Sequence, residues 1–170
     1  MLPELRDGRV TLRSLREEDA AALAAMVEAP SVREWWGTST REVLVEGFME
    51  DARDQVAFAI EIDGELAGWL GVPEENEPDY RHAAMDILLG AECQNAGHGR
   101  VALRLAARWL VDDRGHHRIT IDPALANARA IRVYESIGFQ RVGVMRSYER
   151  GPDGEWHDAL LMDMLASELR

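Results

Sequence analysis

The chain has 170 residues, 46% of them hydrophobic and 29% charged, with 31 acidic against 19 basic side chains and a formal net charge of −12. That length and balance fit one compact soluble domain over residues 1–170, and the acidity argues against nucleic acid, whose phosphates require a basic surface. No apolar run approaches the ~20 residues that span a bilayer. The opening Met1-Leu2-Pro3-Glu4-Leu5-Arg6-Asp7 also lacks the apolar core of a signal peptide, so a cytoplasmic protein with no membrane partner is expected.

In chain order, Val10-Thr11-Leu12-Arg13-Ser14-Leu15 alternates as a half-buried strand does. Arg16-Glu17-Glu18-Asp19 opens a helix with acids in its first turn; Leu23, Met26 and Val27 give it an apolar face, and Pro30 ends it. Phe58–Ile62 and Glu65–Val72 flank Asp63-Gly64, whose tolerance of positive φ predicts a tight hairpin. The acidic stretches Glu46–Asp54 and Glu74–Asp79 read as loop or helix-face clusters, and Ala83–Leu89 as an apolar strand interrupted by Asp86. A helix follows from about Val101 to Val111, with Val101, Ala102, Leu105, Ala106, Trp109 and Leu110 on one face and Arg100, Arg104 and Arg108 on another. His116–Asp122 reads as a strand stopped by Pro123, with His116-His117 at a surface turn. Asn127 as N-cap and Gly138 as C′ residue bracket another helix. Phe139–Tyr148, a Gly151-Pro152-Asp153-Gly154 turn and Trp156–Leu165 supply two antiparallel strands, which makes the fold class α/β with a mixed sheet.

Between the Ala83–Leu89 strand and the Val101 helix lies Gln94-Asn95-Ala96-Gly97-His98-Gly99-Arg100. A glycine turn that opens a helix leaves backbone N–H groups unpaired at the positive end of the helix dipole, a setting suited to phosphate. The dinucleotide pattern Gly-x-Gly-x-x-Gly is missing because position 102 is Ala102, and the Gly-Lys-Ser/Thr ending of a P-loop is absent. Alone, Gln-x-x-Gly-x-Gly also describes an ordinary helix start. A second, compound pattern follows at Asn127-x-x-Ala130-x-x-x-Tyr134-Glu135-x-x-Gly138-Phe139.

Together these two segments resemble the acetyl-coenzyme A site of the GNAT superfamily of N-acetyltransferases, a likeness that extends over essentially the whole chain. The resemblance implies a mixed, mostly antiparallel central sheet, splayed between two strands at the cofactor site and flanked by helices. It implies acetyl-CoA as cosubstrate, its pantetheine arm along Ile87, Leu88 and Leu89. The pyrophosphate would rest on the loop Gln94, Asn95, Ala96, Gly97, His98, Gly99 and Arg100, with Asn127 and Tyr134 contributed by the second segment.

Acetyl transfer to an amine of pKa ~10 requires removal of a proton, stabilisation of a developing oxyanion and a proton for the departing sulfur. Asp86 is the candidate base or amine-binding carboxylate, since a carboxylate inside an apolar strand is either partnered or faces a cleft; a structural ion pair is the alternative. The resemblance assigns Tyr134 to the sulfur as acid, against the plainer reading of an amphipathic core tyrosine. Asp122, before Pro123, either faces the same cleft or simply terminates its strand. His82, His98, His116, His117 and His157 show no metal-ligand spacing and Cys93 is the lone cysteine, so no metal is expected. Cys93 reads as a packed or part-exposed thiol.

Val32-Arg33-Glu34-Trp35-Trp36-Gly37 and the Ile121-Asp122-Pro123 context are similar to aminoglycoside 6′-N-acetyltransferases. That likeness implies a cationic small-molecule amine held by Asp86 and Asp122 and walled by Trp35 and Trp36. The charge of −12 is compatible with such a substrate and equally with simple solubility. Trp156–Asp163 looks more like the acetyltransferases of protein N-termini, including ribosomal ones, which supplies an alternative acceptor. A non-catalytic coenzyme A binding module is a further alternative, against which the presence of both Asp86 and Tyr134 counts. A homodimer stays open.

Overall fold

The computed structural model of the chain describes residues 2–37 and 39–170; Met1, the first residue of the stretch read for a signal peptide, and Thr38 lie outside them. In chain order the elements are β1 (Leu5–Asp7), β2 (Val10–Ser14), α1 (Ala20–Val27), α2 (Pro30–Arg33), α3 (Arg41–Asp54), β3 (Ala57–Ile62), β4 (Glu65–Gly71) and β5 (Glu74–Glu75). They continue with β6 (His82–Ala84), β7 (Asp86–Leu89), α4 (His98–Asp112), β8 (Arg118–Ile121), α5 (Ala128–Ile137), β9 (Gln140–Arg150) and β10 (Trp156–Leu165). One sheet runs β1-β2-β3-β4-β7 and the other β5-β6-β8-β10-β9. Every pairing is antiparallel except β6 with β8.

The expected strand Ala83–Leu89 is in fact two strands that meet at Met85 and belong to different sheets. β6 lies parallel to β8, with Ala83 opposite Ile119 and Ala84 opposite Thr120. The Met85 N–H then donates to the Thr120 carbonyl at 3.0 Å, the last rung before the strands part. From Asp86 onward the chain pairs with β4, Asp86 opposite Gly71 and Leu89 opposite Gly68. Alternation of side chains reports which residues are buried but not which strand lies alongside, so this change of partner has no local signature.

The first sheet is covered on both faces. Val10, Leu12, Phe58, Ile60 and Leu70 join Leu103, Ala106 and Leu110 of α4 in one core, while Ala57, Ala59 and Trp69 pack with Leu23 and Val27 of α1 and Phe48 of α3 in another. Two-sided burial explains why β3 reads Ala-Phe-Ala-Ile without polar alternation. The predicted hairpin forms with Asp63 at φ 54° and Gly64 at φ 88°, both positive as a tight turn between twisted strands needs.

Several expectations are corrected. Pro30 does not only end a helix; it stands at the first position of α2, where its missing N–H costs nothing. Of the two readings left open for the acidic stretch Glu46–Asp54, the helix holds: it is the C-terminal part of α3, whose buried residue is Phe48. The buried arc of α4 is wider than the predicted face, since Leu103 and Ala107 are buried too. His116 is not at a surface turn: its ring is buried and its Nε2 lies 2.6 Å from Oε1 of Glu74, which also receives Arg114 at 2.7 Å through Oε2. The partner comes from β5, 42 residues earlier, and local sequence carries no trace of it.

Candidate active site

The parting of β6–β7 from β8 builds the site. Once β7 leaves for β4 it is the edge strand of its sheet, so its other edge is open along a cleft of about 380 Å³. Ile87, Leu88 and Leu89 line that cleft, opposite Asn127 and Tyr134 of the second segment, with Gln94, Asn95, Gly97, Gly99 and Arg100 at its end. Ala96 and His98, also expected at the cofactor, belong to the same loop and helix start but are not part of the cleft lining. Lining residues that were not expected at the cofactor include Ser31, Val32, Cys93, Val133 and Arg129.

The two glycines serve different ends. Gly97 is the N-cap of α4 at φ 84°, a conformation that favours glycine, and a side chain there would meet open space. Gly99 has no unusual φ; instead an added Cβ would lie 2.9 Å from Cδ1 of Leu89, so it lets the first turn of α4 lie against β7. No side-chain cap closes this helix start among the described residues, and the first helical bond is Val101 N–H to Gly97 O at 3.2 Å. The preceding N–H groups and the helix dipole suit a phosphate. Gln94 donates from Nε2 to the Leu89 carbonyl at 3.1 Å, tying the loop to the end of β7. Asn127, which lines the cleft, uses Oδ1 to accept the Ala130 N–H at 3.1 Å and so caps α5. An open strand edge, an uncapped helix start and a partly apolar cleft between them fit a molecule with amide groups at one end and phosphates at the other.

Asp86 and Asp122 stand at the point of parting, Asp86 as the first residue of β7 and Asp122 directly after β8. β9 carries an irregularity opposite His157–Ala159 of β10, where Ser147 adopts φ 47° and its N–H donates to Asp158 Oδ1 at 2.8 Å. That irregularity re-aims the strand so that Tyr148 interacts with the Asp122 carboxylate and Glu149 joins the same acidic group. Among the described residues none of Asp86, Asp122 and Glu149 forms an ion pair. Asp86 is exposed to solvent on the open side of the fork, although protein crowds it on the others. Desolvation, then the charge of Asp122 and more weakly of Glu149 and Asp51, pushes its carboxyl up to about 6 against the single N–H of Ile87, which it accepts at 2.9 Å. Burial first, and Asp122 second, also raise Glu149. Tyr134, 8% exposed, is raised above an ordinary phenol by burial and by Asp86 and Asp122.

Both tryptophans line the first cleft, and each has a second contact. Trp36 packs edge-on to Trp69 at 5.8 Å and against Phe48 at 6.1 Å, anchoring the segment after α2 on the second core. Trp35 borders both the first cleft and a second, wider one of about 650 Å³ whose lining includes Glu34, Glu149, Asp153, Trp156 and Asp158. Basic groups there are Arg150 and His157, the latter held by Asp153 at 2.9 Å. The structure thus brings Asp86, Asp122, Tyr134 and the cofactor loop to one fork, with Trp35 where the two clefts meet.

Residues 9–140 match the acetyltransferase (GNAT) domain family. The chain is 30% identical over 164 residues to the aminoglycoside N(6′)-acetyltransferase type 1 of Klebsiella pneumoniae, covering 85% of this chain and 79% of that protein. It superposes on Mycobacterium smegmatis RimJ in complex with CoA-disulfide with a TM-score of 0.83, at 26% identity, over 98% of this chain and 88% of that one. The ribosomal-protein-S5-alanine acetyltransferase of Vibrio fischeri shares the fold, with a TM-score of 0.81 at 16% identity over 99% of each chain. The chain is therefore a member of the GNAT family of N-acetyltransferases.

Proposed function

We propose that this enzyme acetylates a primary amine on a cationic small molecule of the aminoglycoside kind, and that Asp86 and Tyr134 carry the chemistry. The observation that supports the acceptor class is the concentration of unpaired carboxylates at the fork, Asp86, Asp122 and Glu149, continuous with an acidic cleft walled by Trp35 and Trp156. Such a group of charges attracts and orients ammonium groups and disfavours anionic acceptors. The relative from Klebsiella pneumoniae, an aminoglycoside N(6′)-acetyltransferase, favours the same reading.

Acetyl-CoA supplies the acyl group as an activated thioester; Ile87, Leu88, Leu89, Gln94–Arg100 and Asn127 are the residues that would hold it. Asp86 orients the incoming ammonium and takes one proton from it, releasing that proton to water. The second proton of the amine is destined for the sulfur. Because Tyr134 is held above the ordinary phenol range and a thiol lies near pKa ~8.5, a lasting phenolate is disfavoured. Tyr134 therefore donates a hydrogen bond to the sulfur and passes its proton only as it is reprotonated from the acylated nitrogen.

The second reading, acetylation of a protein N-terminus, is favoured by the open 650 Å³ cleft, which has room for an extended peptide. Free-thiol release from acetyl-CoA, measured with aminoglycosides, linear polyamines and N-terminal peptides, separates the two. Turnover with the polycationic amines, and a Michaelis constant for them that rises with salt, is expected. Preference for neutral peptides with no salt effect contradicts the proposal.

A further inference from the structure

Arg129 stands on the first turn of α5, two residues after Asn127, and lines the cofactor cleft from the side opposite β7. Its guanidinium reaches across the mouth of that cleft. Nη2 donates to Gln94 Oε1 at 2.9 Å and Nη1 to Asn95 Oδ1 at 3.2 Å. Gln94 in turn donates to the Leu89 carbonyl at 3.1 Å, so one chain of hydrogen bonds links α5, the glycine loop and the end of β7. Both acceptors of Arg129 are neutral amides, and among the described residues it forms no ion pair, in a chain whose formal net charge is −12. A planar, permanently charged fork with two neutral partners is held beside the loop whose free N–H groups already suit a phosphate, and phosphate oxygens are its stronger acceptors.

We propose that Arg129 is the phosphate clamp of the coenzyme cleft, exchanging the amide oxygens of Gln94 and Asn95 for phosphate oxygens of the bound coenzyme and so drawing α5 onto the glycine loop. This rests on the cofactor reading given above. The partner is a phosphate of coenzyme A, either in the pyrophosphate or at the 3′ position of the ribose. Asn95, at φ 63°, is released from Arg129 by the exchange.

Calorimetric titration of coenzyme A, at several salt concentrations, tests the clamp without relying on turnover. Loss of one charge-assisted contact in Arg129→Met is expected to weaken binding about 10- to 100-fold at low salt and to flatten the dependence of affinity on salt, whereas Arg129→Lys retains part of both. Dephospho-coenzyme A names the partner. If Arg129→Met weakens it as much as coenzyme A, the pyrophosphate is held; if the substitution leaves it untouched, the 3′-phosphate is. Binding within twofold of wild type, or weakened binding with an unchanged salt dependence, overturns the clamp and leaves Arg129 a staple for Gln94. Failure of the unsubstituted protein to bind coenzyme A would instead strike the cofactor reading itself.

Discussion

Two clusters of acids in this molecule are built from the same residue types and behave in opposite ways. Beside α1, Asp19 receives both guanidinium nitrogens of Arg13 at 2.7 and 2.8 Å, the Arg16 N–H at 2.9 Å completes its shell, and Arg13 Nε reaches Glu61 at 2.6 Å. Burial is the largest single influence and works against the Asp19 charge, but the hydrogen bonds from Arg13 and the Arg16 N–H, together with the two positive charges, outweigh it and its carboxyl is lowered. At the fork, Asp86 has burial of the same sign, one backbone N–H, and other carboxylates for neighbours, so its carboxyl is raised. The first cluster fastens β2, β3 and the start of α1 together. The second is a cost to the fold that has meaning only if a cation arrives from outside.

The sharpest way to break this contrast is to remove the cation from the paired cluster. With side chains only 14% and 8% exposed, Arg13 and Asp19 form a largely buried pair. Arg13→Met strands Asp19 and is expected to lower stability by roughly 3–5 kcal/mol, or about 10 °C in melting temperature for a domain of this size. A fall of less than a degree shows that the network does not brace the fold. The paired stabilisation is present above the ordinary aspartate pKa and is lost as pH falls through the lowered value of Asp19.

For the unpaired cluster the sign reverses. Asp86 binds its proton more tightly in the folded chain than in the unfolded one, so its penalty is absent at low pH and grows as pH rises from near 4 toward about 6. Asp86→Asn should therefore melt a few degrees higher than wild type at pH 7.5 and at the same temperature near pH 4; solvent contact keeps the gain small. A variant that melts lower at pH 7.5 indicates that Asp86 has a structural partner after all.

Local chemistry made much of this fold legible. Asp63-Gly64 gave its turn, Trp156–Leu165 its strand with the observed bounds, and Asn127 and Gly138 the two ends of α5. Partnership between distant segments was not legible. Ala83–Leu89 reads as one strand because its burial is continuous, while its division at Met85 depends on Thr120 on one side and Gly71 on the other. α3 stayed undecided between loop and helix because its apolar residues Leu44, Val45, Phe48, Met49 and Ala52 are interleaved with acids and only Phe48 is buried. At the site, the glycine loop and Tyr134 carry recognisable spacing. Arg129 and Glu149 do not: the first matters through Gln94 and Asn95, the second through an irregularity in β9 that no residue pattern announces.

The central claim is that Asp86, left without a cation by the fold, is the group that accepts the proton of the acceptor amine. The pH dependence of kcat/KM for a cationic amine, in wild type and Asp86→Asn, tests it most directly, with coenzyme A affinity measured alongside. Wild type should show an acidic limb near 6, the value to which Asp86 is pushed. Asp86→Asn should lose that limb, fall about 10²–10⁴-fold in kcat/KM and bind coenzyme A as before. Retention of near-wild-type kcat/KM with the limb intact would contradict the account and move the proton to Asp122 or to water.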